Sequence, residues 1–276
     1  MPASRYAKKL LSLVAAPLRK RPAPAPSRPM PGRRQQFTAH VGGHDFLAND
    51  IGSFGPMQRE IWEREIYAFN PDTSAPIIFD CGANIGMAVA YFKHKWPQSH
   101  VHAFEADPEI FKVLQQNVRT AGFDNVTLHQ AAVWTDNAVL HFRPDGSDGG
   151  RIDAAAGTGL IDVPAVRLAD LLVQPIDFLK IDIEGAEIAV LETCRSQLKY
   201  VKRLFVEYHS FQSAPQQLHR LLELLRDAEF RVYITSAHEL SQSPFLLQRT
   251  CAGMDLQLNI FAFRADDRSI TRQEIR

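Results

Sequence analysis

Four apolar runs in this sequence end on side chains able to bind or react. "IIFDC" (77–81) carries Asp80 and runs into Gly82-Ala83-Asn84-Ile85-Gly86, and "VHAFE" (101–105) stops on Glu105. "DFLKIDIE" (177–184) stops on Asp182 and Glu184, and "LFVEYH" (204–209) stops on Glu207, Tyr208 and His209. If these runs are parallel strands of one sheet, their terminal groups share the edge where open α/β sheets hold ligands. Gly82 and Gly86 let the chain turn sharply and let a ligand approach the backbone. The spacing is Gly-x-Asn-x-Gly with Met87 following, so the third glycine of a dinucleotide fingerprint is missing. A pyrophosphate cradle needs bare backbone amides at a helix start, and Asn84 suits that poorly. Asp80 points to a cationic group, and a carboxylate at 105 can accept both hydroxyls of a ribose. Asp80, Gly82, Asn84, Gly86, Glu105 and Asp182 together read as a pocket for S-adenosylmethionine, which joins an adenosine to an amino acid and a sulfonium and has no phosphate.

The acids after the third run have a plainer explanation as well. Carboxylates such as Glu184 and Glu187 at a helix start stabilise its dipole by ~0.3–1 kcal/mol. His209 reads either as a satisfied core histidine or, from the shared edge, as a general base, the unperturbed imidazole pKa being about 6.5. Asp182 and Glu184 are the alternative bases. Asp182, Glu184, Glu187 and Glu207 could instead gather a magnesium ion that acidifies a hydroxyl. Metal-free catalysis is the preferred expectation, and no metal ligand is assigned.

Elements that could position these groups alternate along the chain. Strand-like stretches fall at 77–81, 101–105, 126–133, 138–142, 176–182, 203–208, 230–235 and 256–263, with helical patterns at 86–95, 108–121, 186–199 and 215–228. Such alternation predicts a mostly parallel sheet with helices on both faces. Ahead of it, "QREIWEREIYAF" (58–69) places Ile61, Trp62, Ile66 and Phe69 within about 140° of one helical face, predicting an amphipathic helix packed beside the domain. The Gly- and Asp-rich stretch 143–160 reads as a mobile loop over the pocket or a plain solvent loop, and 236–255 as another wall.

At 276 residues, with 45 % apolar and 22 % charged side chains, the chain suits one large α/β domain with appended segments. Nine of its 31 basic residues lie in 1–44, where there is no acid. The body is therefore mildly acidic and does not favour nucleic acid as a partner. Residues 17–31 hold six prolines, so a basic, extended tail is expected over 1–35. Its piece "LLSLVAAPL" (10–18) runs into "RKRPAPAPSRP" and not into a cleavage site, so it is not read as a signal peptide. The tail is read as functionless, with weak contact to an anionic membrane surface as the other reading. Three scattered cysteines, at 81, 194 and 251, make neither a disulfide framework nor a zinc site and fit neutral thiols in a reducing compartment. The expected location is cytoplasmic, peripheral at the inner membrane surface if the tail binds lipid. Oligomeric state is not legible.

"FDCGANIGMAVAYF", "VHAFEADPEIFKVLQQNV", "DFLKIDIEGAEIAVLE" and "LFVEYHSF", in this order, resemble the FkbM family of S-adenosylmethionine-dependent methyltransferases over residues 76–264. Ala106 departs from it, since the family commonly has proline there. The resemblance implies a class I methyltransferase fold, Rossmann-like, with a seven-stranded sheet whose last strand is antiparallel. It also implies O-methylation of a secondary metabolite, or of a sugar in a glycan or glycolipid. It leaves an extension (36–75), expected to be helical or irregular, and a short C-terminal segment (265–276) outside the domain. Two other classes stay open: a dinucleotide-dependent oxidoreductase, against which the missing glycine counts, and a binding module that keeps the fold without turnover.

Overall fold

The structure is a computed structural model that describes residues 35–146, 149–152, 158–267 and 270–271. The expected basic tail lies outside the described residues except for Gln35. The extension starts with a hairpin, β1 (Phe37–Val41) and β2 (His44–Ala48), paired antiparallel. Alternation on either side of Gly42-Gly43 is the sequence signal for it, and the expectation of a helical or irregular extension missed it. Helix α1 (Ile51–Gln58) follows, capped by Asp50, whose carboxylate accepts from Gly52 N at 2.9 Å. It widens into a π turn, Arg59–Glu63, and stops, with Glu65 at φ 50°. The helix expected over 58–69 is thus corrected: it begins and ends earlier. Ile61 is buried, while Trp62, Ile66 and Phe69 pack against the same core from the turn and the chain beyond it.

The domain then alternates as expected except over 126–167, where five strands follow one another and those at Arg151–Ile152 and Ile161–Arg167 were not anticipated. It runs through β3 (Ile77–Cys81), α2 (Met87–Lys95), β4 (His100–Glu105), α3 (Pro108–Ala121), β5 (Val126–Gln130), β6 (Ala132–Trp134), β7 (Val139–Arg143), β8 (Arg151–Ile152) and β9 (Ile161–Arg167). After these come β10 (Phe178–Ile181), α4 (Glu187–Thr193), β11 (Arg203–Phe211), α5 (Leu218–Asp227), β12 (Phe230–Ser236) and β13 (Met254–Arg264). Seven strands form the central sheet in the order β12-β13-β11-β10-β3-β4-β5. Strands β3, β4, β5, β10 and β11 run parallel, and β13 runs antiparallel between β11 and β12. That is the class I methyltransferase arrangement, an α/β fold with apolar cores on both faces of the sheet.

Two expected elements are corrected. The single strand 126–133 breaks at Ala131, because β6 leaves the central sheet to join a small sheet ordered β6-β9-β7-β8. The helix expected over 186–199 is only the seven residues of α4. Asn117, buried on α3, locks the hairpin to the domain: its Oδ1 accepts from Leu47 N at 2.8 Å, and its Nδ2 donates to Leu47 O and Ile85 O, each at 2.9 Å. Cys81 and Cys194 are buried and Cys251 is exposed. Among the described residues no helix is long and apolar enough to cross a membrane.

Candidate active site

The turn from β3 into α2 positions one carboxylate with backbone amides. Asn84 takes a left-handed φ of 48°, which aims its N–H at Glu105 Oε2, 2.9 Å away. Asp107 N donates to the other oxygen, Oε1, at 2.8 Å. Each carboxylate oxygen keeps a second lone pair. Burial pushes the Glu105 carboxyl up to about 7 against the pull of these two amides. The glycines of the turn are required mainly by the protein itself. A Cβ on Gly82 would lie 1.8 Å from the Asp182 carbonyl oxygen, and one on Gly86 would lie 2.7 Å from Leu114. Gly82 and Asn84 line the cavity below, whereas Gly86 and Asp80 do not.

Asp80 is wholly buried and its oxygens have no hydrogen-bond partner among the described residues. It faces Lys180 Nζ at 3.3 Å, and the same ammonium lies 3.2 Å from Asp182 Oδ2 and donates to Gly82 O at 2.9 Å. The cation that Asp80 meets is therefore a lysine of β10, which the sequence reading passed over. A lysine inside "FLKI" was the available signal. Burial raises the Asp80 carboxyl, and Lys180 partly offsets this. Burial acts to lower Lys180, yet Asp182 and Asp80 hold it well above its ordinary value.

Strand β11 carries Glu207 and His209 to the same edge. His209 is 5 % exposed. Its Nδ1 bonds Glu187 Oε1 at 2.8 Å, and that oxygen also accepts from Gly185 N at 2.9 Å. Glu187 thus serves the start of α4 and orients the imidazole. The other ring nitrogen, Nε2, faces Glu184 at 3.7 Å and Asp182 and Glu207 at 3.9 Å each. Burial acts to lower the imidazole, but Glu187, Glu184 and Asp182 raise it well above 6.5. Glu207 is pushed up to about 8 by burial and by Asp182. Across the β11–β13 pairing Gln257 lies opposite His209 and bonds Glu207.

These groups meet in one cavity of about 290 Å³. Glu105, Gly82, Asn84, Asp182 and Glu184 line it together with Lys180 and Glu207, while His209 stands behind Asp182, Glu184 and Glu207. Gly150, Arg151 and Ile152 close one side and Ala237 and His238 another, so both loop regions singled out in the sequence supply wall. The extension contributes Met57, Glu60, Ile61 and Tyr67. None of these four was legible as a site residue, because they lie upstream of the motifs, in or next to a stretch that reads as an amphipathic helix.

The profile of the methyltransferase FkbM domain matches residues 80–232, more than half of the chain. Methyltransferase 1 of Beauveria bassiana (strain ARSEF 2860) is 29 % identical over 161 residues, 49 % of this chain and 65 % of that protein. The 31-O-demethyl-FK506 methyltransferase FkbM of Streptomyces tacrolimicus is 28 % identical over 218 residues, 64 % of this chain and 81 % of its own. The 2-O-methyltransferase NoeI of Sinorhizobium fredii (strain NBRC 101917 / NGR234) is 25 % identical over 178 residues, 56 % and 72 %. Among solved structures, methyltransferase FkbM from Methylobacillus flagellatus KT overlays with a TM-score of 0.48 at 18 % identity; the match covers 74 % of this chain and about half, 48 %, of that one.

Proposed function

The chain belongs to the FkbM methyltransferase family, and from that premise we propose that it moves a methyl group from S-adenosylmethionine to a hydroxyl oxygen of a sugar, glycan, glycolipid or secondary metabolite. The observation that carries this reading is one cavity with Glu105 on one side and Asp182, Glu207 and the adjoining His209 on the other. The donor set fits the cofactor. Glu105 has lone pairs left for two ribose hydroxyls, and Ala131, Ala132, Val133 and Phe142 offer an apolar wall to an adenine. Acids outnumber Lys180 and Arg151 on the lining, which suits a ligand bearing an ammonium and a sulfonium. The same surplus works against a polyanionic acceptor. Two relatives are named for methylation at oxygen, which supports a hydroxyl acceptor.

When bound, S-adenosylmethionine supplies an electrophilic methyl. The chain's own work is to orient the hydroxyl, exclude water and take up its proton. With Nδ1 committed to Glu187, His209 has only Nε2 for that proton, and Asp182 and Glu184 are the carboxylates beside it. Glu187, Glu184 and Asp182 around the ring favour the imidazolium, so the base form is reached only above the ordinary histidine range. The test is incubation of the protein with methyl-labelled S-adenosylmethionine and panels of glycans and hydroxylated metabolites. A product heavier by one methyl, with the label in a methoxyl resonance, is expected; label on nitrogen or carbon would replace the reading.

One observation favours a second reading. Single ligand atoms of Asp182, Glu207 and His209 lie within 4.8 Å of one another, a spread that suits a divalent cation. In that case a chelator abolishes activity and added magnesium or manganese restores it.

A further inference from the structure

Beside the main cavity lies a second hollow of about 370 Å³, and Glu60 lines both. Its walls come from the extension and from the far end of the sheet: Glu60 and Arg64 on one side, Tyr233 and Thr235 of β12 on the other, with Asn259 of β13 at the base. Three features mark it as a place for a ligand. Asn259 is 3 % exposed and donates from Nδ2 to Glu60 Oε1 at 2.7 Å, while its Oδ1 has no hydrogen-bond partner among the described residues. An unpaired buried carbonyl of this kind costs about 1–3 kcal/mol unless something donates to it. Tyr233 is 65 % exposed on the edge strand, a large ring in tilted contact with Phe261, centroids 6.4 Å apart. Glu60 is held above its ordinary carboxylate value by burial, with Asp182 adding to the effect, so the second hollow feels the charges of the first.

The chemistry of this lining selects a class of ligand. One carboxylate and one guanidinium leave no surplus charge, so neither a phosphate nor a cation is favoured. A carboxylate, a guanidinium fork, a side-chain amide and the Thr235 hydroxyl, beside one open aromatic face, are what a neutral polyhydroxylated ring requires. Its hydroxyls need donors and acceptors in rough balance, and its C–H face packs on an aromatic ring. We propose that this hollow binds a sugar residue adjacent to the one that is methylated, so that the acceptor is an oligosaccharide or a longer glycoside. The proposal rests on the hydroxyl-acceptor reading above and narrows it. Glu60 is the bridge, lying between the residue that reacts and its neighbour.

Binding, read apart from turnover, tests it. Wild-type protein saturated with S-adenosylhomocysteine is titrated by saturation-transfer NMR with a panel of neutral mono-, di- and trisaccharides. At least one longer saccharide is expected to bind ~10-fold or more tighter than its component monosaccharides, a gain of about 1.4 kcal/mol. Tyr233→Ala and Arg64→Ala should each erase that gain while leaving the melting temperature and the S-adenosylhomocysteine affinity as they are. No gain with length in the wild type, or a gain that survives both substitutions, overturns the subsite. The hydroxyl-acceptor reading fails separately, when saccharides bind but labelled methyl reaches no hydroxyl.

Discussion

The turn after β3 and the turn after β10 make the same topological step, from a parallel strand into a helix, and are held by different forces. After β3 the left-handed residue other than glycine is Asn84, a type that adopts that conformation readily, and two backbone amides fix a single carboxylate. After β10 the left-handed residue other than glycine is Glu184, with φ 54°, a conformation that costs a residue of this kind about 1–2 kcal/mol. There the charged side chains hold one another: Lys180 between Asp80 and Asp182, and His209 between Glu187 and three further acids. The first turn holds one carboxylate by backbone amides, which suits the cofactor role proposed for it. The second gathers charged side chains whose burial and mutual fields displace their pKa values upward, which suits the proton transfer proposed for it.

The largest effect expected from breaking this contrast is at His209. His209→Ala should lower kcat by ~10²-fold or more with cofactor affinity little changed. His209→Gln, which keeps a donor toward Glu187, guards against a merely structural loss. In the wild type the rate should rise with pH, because Nε2 must first lose its proton, and the midpoint should lie above 6.5 since the neighbouring acids raise the imidazole. Both variants should lose that limb, and a limb that survives them assigns the base elsewhere.

Next comes the pH dependence of cofactor binding. Only ionised Glu105 can accept both ribose hydroxyls, and burial lifts its carboxyl to about 7. S-adenosylmethionine affinity should therefore fall as pH drops through about 7, up to tenfold per pH unit. A flat profile would place the ribose away from Glu105. The smallest effect separates the two turns directly. Glu184→Gly should relieve the left-handed strain and raise stability by about 1 kcal/mol at some loss of rate, whereas Asn84→Gly should change stability by only a few tenths of a kcal/mol. Equal shifts in melting temperature would erase the distinction between the turns.

The sheet and the candidate pocket after β3 were legible because both are written locally. Apolar runs with breakers between them located all seven central strands, and Glu105 with its glycine turn lies within one strand-helix-strand unit. What stayed hidden depends on distant pairing. Lys180, one charge within a strand, gains meaning only because β3 places Asp80 beside it. Gln257 and Asn259 gained meaning only from the register of β13 against β11. The extension hid its role because a π turn breaks the 100° periodicity that a helical reading relies on, and Glu60 sits in that turn. At Gly86 the turn was legible, with φ 90°, but not the packing requirement that Leu114 adds beside it.

The claim on which the rest depends is that Glu105 grips the ribose of S-adenosylmethionine. Calorimetric titration of the wild type and Glu105→Ala with S-adenosylmethionine, S-adenosylhomocysteine and NAD tests it most directly, with the fold of each protein checked by circular dichroism. The first two ligands should bind the wild type and lose about 1–3 kcal/mol in the variant, the loss expected when hydrogen-bonding groups are left unpaired, and NAD should not bind. Unchanged affinity in a folded Glu105→Ala protein, or tighter binding of NAD than of S-adenosylmethionine, would contradict the account.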